Sequence, residues 1–129
     1  MTAAPLPESV QQFVGEHIDS AELLEILLYL HRNAGQSYTA EALSPAVYTV
    51  PAAALLRLEE LVASGFAASD GTGNPAYRYA PSSPVLGAGV DELAAAYAAN
   101  RIAVIQSIFQ KPKSAAQSMA DAFRLRGNR

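Results

Sequence analysis

Six aliphatic side chains between positions 23 and 30, Leu23, Leu24, Ile26, Leu27, Leu28 and Leu30, constrain this chain more than any other feature. At helical spacing they cover most of a helix circumference, so the segment has to be packed on several sides. It is the expected core of the fold. A helix start precedes it: Asp19 is an N-cap candidate, Glu22 stands three residues later as in a capping box, and Ile18 with Leu23 has the spacing of a hydrophobic staple. The expected helix runs to about Arg32.

On either side of this core the apolar periodicity predicts further helices. Val10, Phe13 and Val14 mark a short amphipathic helix within residues 1–18. After Asn33-Ala-Gly35, Thr39 caps a helix that Pro45 limits to about two turns. Either Thr49 or Val50 caps the next helix, with Pro51 in its first turn, a buried stripe of Ala54, Leu55, Leu58, Leu61 and Val62, and Gly65 as its stop. From Phe66 the pattern changes. Phe66–Ser69 and Ala76–Tyr79 flank Asp70-Gly-Thr-Gly-Asn-Pro75, whose Gly and Asn residues suit positive φ, so a β-hairpin is expected with Tyr77 and Tyr79 on one face. Residues 81–88 read as a linker, 89–110 as one long helix stopped by Pro112, and 111–129 as a basic helical tail.

Three helices, the third ending in Leu-Val-Ala-Ser-Gly-Phe and followed by a Gly-rich hairpin carrying Tyr-Arg-Tyr, resemble the winged helix-turn-helix domain of bacterial transcription regulators over residues 19–80. The resemblance implies a mainly α fold with a small β-hairpin wing, the third helix entering the DNA major groove and a wing cation gripping phosphate. By position, Thr49, Ala52, Ala53 and Arg57 would face the groove, and Arg78 with Asn74 would form the wing contact. The long helix after the wing is similar to the dimerisation helix of several such regulators, which implies a homodimer.

Charge and side-chain chemistry oppose strong DNA reading. Residues 1–100 carry three bases against eleven acids, a net −8, whereas residues 101–129 carry six bases against Asp121, a net +5. Phosphate neutralisation supplies most non-specific affinity, so an acidic body starts from repulsion. Alanines can touch a thymine methyl but cannot form the bidentate bonds that discriminate bases by about 1–3 kcal/mol each; among the groove-facing positions only Arg57 could. The function expected is therefore a non-enzymatic, winged-helix regulator-like module that associates mainly with protein and touches DNA weakly at most. A dimeric, sequence-specific DNA-binding regulator is the alternative.

Two further surfaces invite association. Ala98, Ile102, Ile105 and Phe109 recur at i, i+4, i+7 and i+11, broadened by Val104 and Ile108, a seam of coiled-coil type that either joins a second copy or packs back on its own domain. The tail places Met119 and Phe123 on one helical face with Lys111, Lys113, Arg124 and Arg126 around it, suited to an acidic protein surface more than to a membrane or to DNA phosphates.

No catalytic, cofactor or metal site is expected. There is no Cys, His17 and His31 lie on different expected helices, Gly71-Thr-Gly73 lacks a following Lys and helix, and no nucleophile motif surrounds a Ser. No apolar run reaches the roughly 18 residues that span a bilayer and the opening residues lack signal-peptide character, so a cytoplasmic setting is the expectation.

Overall fold

The structure, a computed structural model, describes residues 6–71 and 73–110. The described residues are mostly helical with a small two-stranded antiparallel sheet. Its centre is helix α2, Ala21–Arg32, in which the six aliphatic side chains from Leu23 to Leu30 are all buried. Ser20, rather than Asp19, caps it: the Ser20 hydroxyl accepts the Leu23 N–H at 3.1 Å. Glu22 forms no capping box, because its carboxylate turns toward Thr49 and Arg57.

Around α2 lie α1 (Glu8–His17), which buries Val10, Phe13 and Val14, and the short α3 (Ala40–Leu43), where Thr39 caps the Ala42 N–H as expected. Pro45 then sits in a 3₁₀ turn, Ser44–Val47, and Tyr48 adopts a left-handed conformation, φ 57° and ψ 46°. That single residue turns the chain into α4, Pro51–Ala63. Val50 is its N-cap position without a side-chain cap, since the Thr49 hydroxyl is spent on Glu22. Pro51 occupies the first helical position, where its missing N–H breaks no helical bond. Gly65, at φ +87°, ends the helix, and a Cβ there would lie 2.5 Å from Ser82 Oγ, so glycine serves both the turn and the packing.

Strands β1 (Ala67–Asp70) and β2 (Ala76–Tyr79) form the hairpin, with Ala67 opposite Tyr79 and Asp70 opposite Ala76. Tyr38 joins it through an isolated bridge: the Tyr38 N–H donates to the Tyr77 carbonyl at 2.8 Å and the Tyr77 N–H to the Tyr38 carbonyl at 2.7 Å. The segment before α3 and the hairpin are thereby fixed to each other.

Beyond the hairpin the expected boundaries are corrected. Residues 81–88 are not a linker: α5 runs Pro84–Ala99, with the Ser83 hydroxyl accepting the Leu86 N–H at 3.2 Å. Proline at the first helical position starts a helix here, and Gly89 is tolerated because a Cβ would stand 2.6 Å from Phe13 Cε1 on α1. A single helix over 89–110 is not seen either. The chain breaks at Asn100 (φ −154°, ψ 76°), whose side-chain oxygen accepts the Ala103 N–H at 3.1 Å and caps a separate helix, α6, Arg101–Gln110. One continuous core includes Val10 from α1, Val90 and Leu93 from α5, and Val104 and Ile108 from α6 together with α2, so the flanking helices share the interior of residues 19–80. Among the described residues no helix is long and apolar enough to cross a membrane.

Candidate interaction surface on the fourth helix

The helix placed to read DNA by the resemblance is α4. Buried Ala54, Leu58 and Leu61 set its orientation against the core and leave Ala52, Leu56, Glu59 and Ala63 outward, at i, i+4, i+7 and i+11. Preceding it, the left-handed turn projects Tyr48 almost wholly into solvent, 97% exposed, beside Val50 at 60%; Leu56 is 63% exposed. A non-glycine residue in this backbone region costs on the order of 1–3 kcal/mol and persists only where its surroundings impose it. Here the Tyr48 N–H reaches the Pro45 carbonyl at 3.3 Å and the Thr49 N–H the Ser44 carbonyl at 2.9 Å.

The expected base-reading cation is occupied. Arg57 Nε donates to Glu22 Oε1 at 2.9 Å and Nη1 to Glu60 Oε1 at 2.7 Å, while the Thr49 hydroxyl donates to Glu22 Oε2 at 2.7 Å. One carboxylate from α2 thus holds two of the anticipated contact residues. The hydrogen bond from Thr49, then that from Arg57, pulls the Glu22 pKa below the ordinary glutamate value; Glu22 first, then Glu60, raise that of Arg57. Glu22 and Arg57 therefore keep their charges at neutral pH, with a little under a third of each side chain in solvent.

The hairpin repeats this pattern. Arg78 Nη1 donates to Asp70 Oδ1 at 2.5 Å, and Asp70 also accepts from the Ser37 hydroxyl at 3.2 Å. Asn74 is exposed at the hairpin tip and lines, with Ala52, Glu41 and Leu55, a shallow hollow of about 230 Å³ between the hairpin and the start of α4. Ala53 is half-buried beside it in sequence. The structure therefore brings Ala52 and Asn74 to one surface, and ties Thr49, Arg57 and Arg78 to carboxylates.

The expected association seam is divided. Val104 and Ile108 are buried in this chain's own core and Ile105 packs partly against it, whereas Ala98, Ile102 and Phe109 face outward, the last two at 69% and 74% exposure. Because the helix breaks at Asn100, Ala98 and Ile102 are not on one unbroken stripe. The tail contact residues Lys111, Lys113, Met119, Phe123, Arg124 and Arg126 lie outside the described residues. His17 packs on the Phe13 and Phe66 rings, His31 Nε2 lies 2.9 Å from Asp91 Oδ1, and no group of three potential ligands that could hold a metal occurs among the described residues.

Two features of this surface were not read from the sequence. The Asp70–Arg78 pair was accessible, since the hairpin register sets Ala68 opposite Arg78 and so makes Asp70 its diagonal neighbour on the same face. The Glu22–Arg57 contact spans 35 positions and has no sequence signal. No protein-family model, curated protein or solved structure matches this chain.

Proposed function

We propose that this chain is a non-enzymatic module resembling a winged-helix transcription regulator, and that it acts mainly by associating with protein and contacts DNA weakly at most. The observation that carries this reading is the state of Arg57, held between Glu22 and Glu60 on a helix that leaves Ala52 and Leu56 exposed and is preceded by exposed Tyr48 and Val50. Magnitudes favour it. Arg57 would have to give up two partly exposed ion pairs, worth about 0.2–1 kcal/mol each, before it could reach a base, which offsets part of the roughly 1–3 kcal/mol a bidentate guanine contact returns. Covering the exposed parts of Leu56 and Val50, about 60% of each, is worth roughly 1–2 kcal/mol each, and an exposed tyrosine is a frequent interface anchor. Exposed Glu41 and Glu59 near these residues favour a partner with an apolar centre and a basic rim.

The alternative, a dimeric sequence-specific DNA-binding regulator, draws support from Ala52 and Asn74 sharing one surface, and from Ile102 and Phe109, the seam residues left outward for a second copy. A photo-crosslinker at Ala52 and a DNA-selection assay, each run on wild type, Leu56→Asp and Arg57→Ala, separate the two. The proposal expects a discrete protein crosslink lost in Leu56→Asp and retained in Arg57→Ala, with no enriched DNA motif. One enriched motif, lost in Arg57→Ala and indifferent to Leu56→Asp, would overturn it in favour of the regulator.

A further inference from the structure

A groove of about 390 Å³ runs between α1 and α5, on elements separate from α4. Its floor is apolar. The Phe13 ring lies so close to the backbone of α5 at Gly89 that a Cβ there would stand 2.6 Å from it, and Val85, Leu86 and Ala88 continue the surface, Val85 at 79% exposure. Carboxylates stand on both walls, Glu16 on α1 and Glu92 on α5, and no Lys or Arg is among the described lining residues. Glu16 accepts a hydrogen bond from Gln12 at 3.3 Å and lies 3.8 Å from His17 Nε2. An apolar floor between two acidic walls suits a ligand of inverse pattern, an apolar stripe flanked by cations.

This chain carries such a segment. In residues 111–129, Ala115, Met119, Ala122 and Phe123 recur at i, i+4, i+7 and i+8, and five bases accompany one acid, a net +4 against the −7 of residues 6–110. The segment leaves the fold from α6, which packs on α1, the wall of the groove. Its nineteen residues could extend to about 60 Å, so reach is no obstacle. Attachment through a short connection raises the local concentration of the segment to the order of millimolar, which favours its own groove over that of a second copy. We propose that residues 111–129 dock in the α1–α5 groove of the same molecule, with Met119 and Phe123 on the apolar floor and the flanking bases against Glu16 and Glu92. The basic segment would then cover apolar surface and offset part of the acidity of the body; the reading of α4 does not enter.

The absence of cysteine makes Ser118→Cys a unique attachment site for a nitroxide label on the full chain. In ¹⁵N spectra, the Ala88, Gly89 and Glu92 amides are expected to lose roughly two-thirds or more of their intensity, since a millimolar effective concentration keeps a contact of about 0.1 mM intrinsic affinity roughly nine-tenths occupied. The loss should disappear in Glu16→Lys with Glu92→Lys, both exposed and so harmless to folding, and in Met119→Ser with Phe123→Ser. It should also be missing when labelled ¹⁴N chains are mixed with unlabelled ¹⁵N chains. Three results would overturn the proposal: unchanged amides, broadening centred elsewhere or surviving charge reversal, and broadening in the mixture, which would assign the segment to a second copy.

Discussion

Helices α4 and α6 both read in the sequence as surfaces for another molecule, and they meet opposite fates. α4 buries Ala54, Leu58 and Leu61 of the stripe assigned to it, half-buries Leu55 and Val62, and leaves Ala52 and Leu56 outward, with Tyr48 and Val50 preceding the helix, while its one cation is held by Glu22 and Glu60. α6 loses the middle of its assigned seam to its own core, where Val104 and Ile108 are buried, and retains only Ile102 and Phe109 in solvent. Apolar spacing identifies residues that want cover, but says nothing of who provides it. For Val104 and Ile108 of α6 the provider is this chain itself, whereas the described residues leave Leu56 of α4, with Tyr48 and Val50 before it, largely uncovered.

The sharpest way to break that contrast is a charge placed on either face of α6. Val104→Asp buries an unpaired carboxylate and should cost about 3 kcal/mol or more, whereas Ile102→Asp should stay within about 0.5 kcal/mol, both read by urea denaturation at low concentration. Equal, small effects would mean that Val104 is not covered by its own core. Next in size is Glu22→Gln, which removes the charge from the hydrogen bonds to Thr49 and Arg57 and should destabilise by about 1.5–3 kcal/mol in the same assay. No change would show that the Glu22 hub does not hold α4 to α2.

The position and type of α2, α4 and the hairpin were legible because long apolar periodicity, Pro51, Gly65 and the Gly-rich turn all act locally. The cap of α2 was misplaced by one residue, since Asp19 and Ser20 are both good caps and only the path of the backbone selects Ser20. The break at Asn100 was hidden for a different reason. Ala-rich flanks with continuous apolar spacing mask the local cap signal of Asn100, and a tertiary contact accompanies the break: the Tyr97 hydroxyl, which accepts from Arg101 Nε at 2.7 Å, donates to Glu25 on α2. Of the residues assigned to face the groove only Ala52 is outward; Thr49, Ala53 and Arg57 are half-buried, the exposed Tyr48, Val50 and Leu56 were not assigned, and the neutralisation of Arg57 was hidden because its partner sits 35 positions away. Nor does anything in the sequence around Tyr48 announce a left-handed residue.

Two smaller effects sharpen the comparison further. Glu22 has a lowered folded pKa, so its stabilisation is fully present above the unfolded value of about 4.3 and is lost as pH falls through the folded value. The stability gap between wild type and Glu22→Gln should therefore be flat from neutral pH down to about 5 and narrow on further acidification, as followed by urea midpoints across pH. A gap that widens in acid would reverse the sign assigned to Glu22. Smallest of all, Leu56→Asp on the outward face of α4 should shift stability by no more than about 0.5 kcal/mol, since it removes no core contact. A larger loss would place Leu56 under cover.

The central proposal is that α4, the helix the sequence resemblance assigns to reading DNA, does not read it, and DNA affinity at physiological salt tests this most directly. The chain should end after Gln110, which keeps the buried residues of α5 and α6 and leaves out the five bases of the tail. Titrated with a pool of duplexes, it should bind no more tightly than about 10⁻⁴ M, the weak end of non-specific affinity, with no preferred sequence. Binding well below micromolar that selects one sequence and is lost in Arg57→Ala would contradict the account.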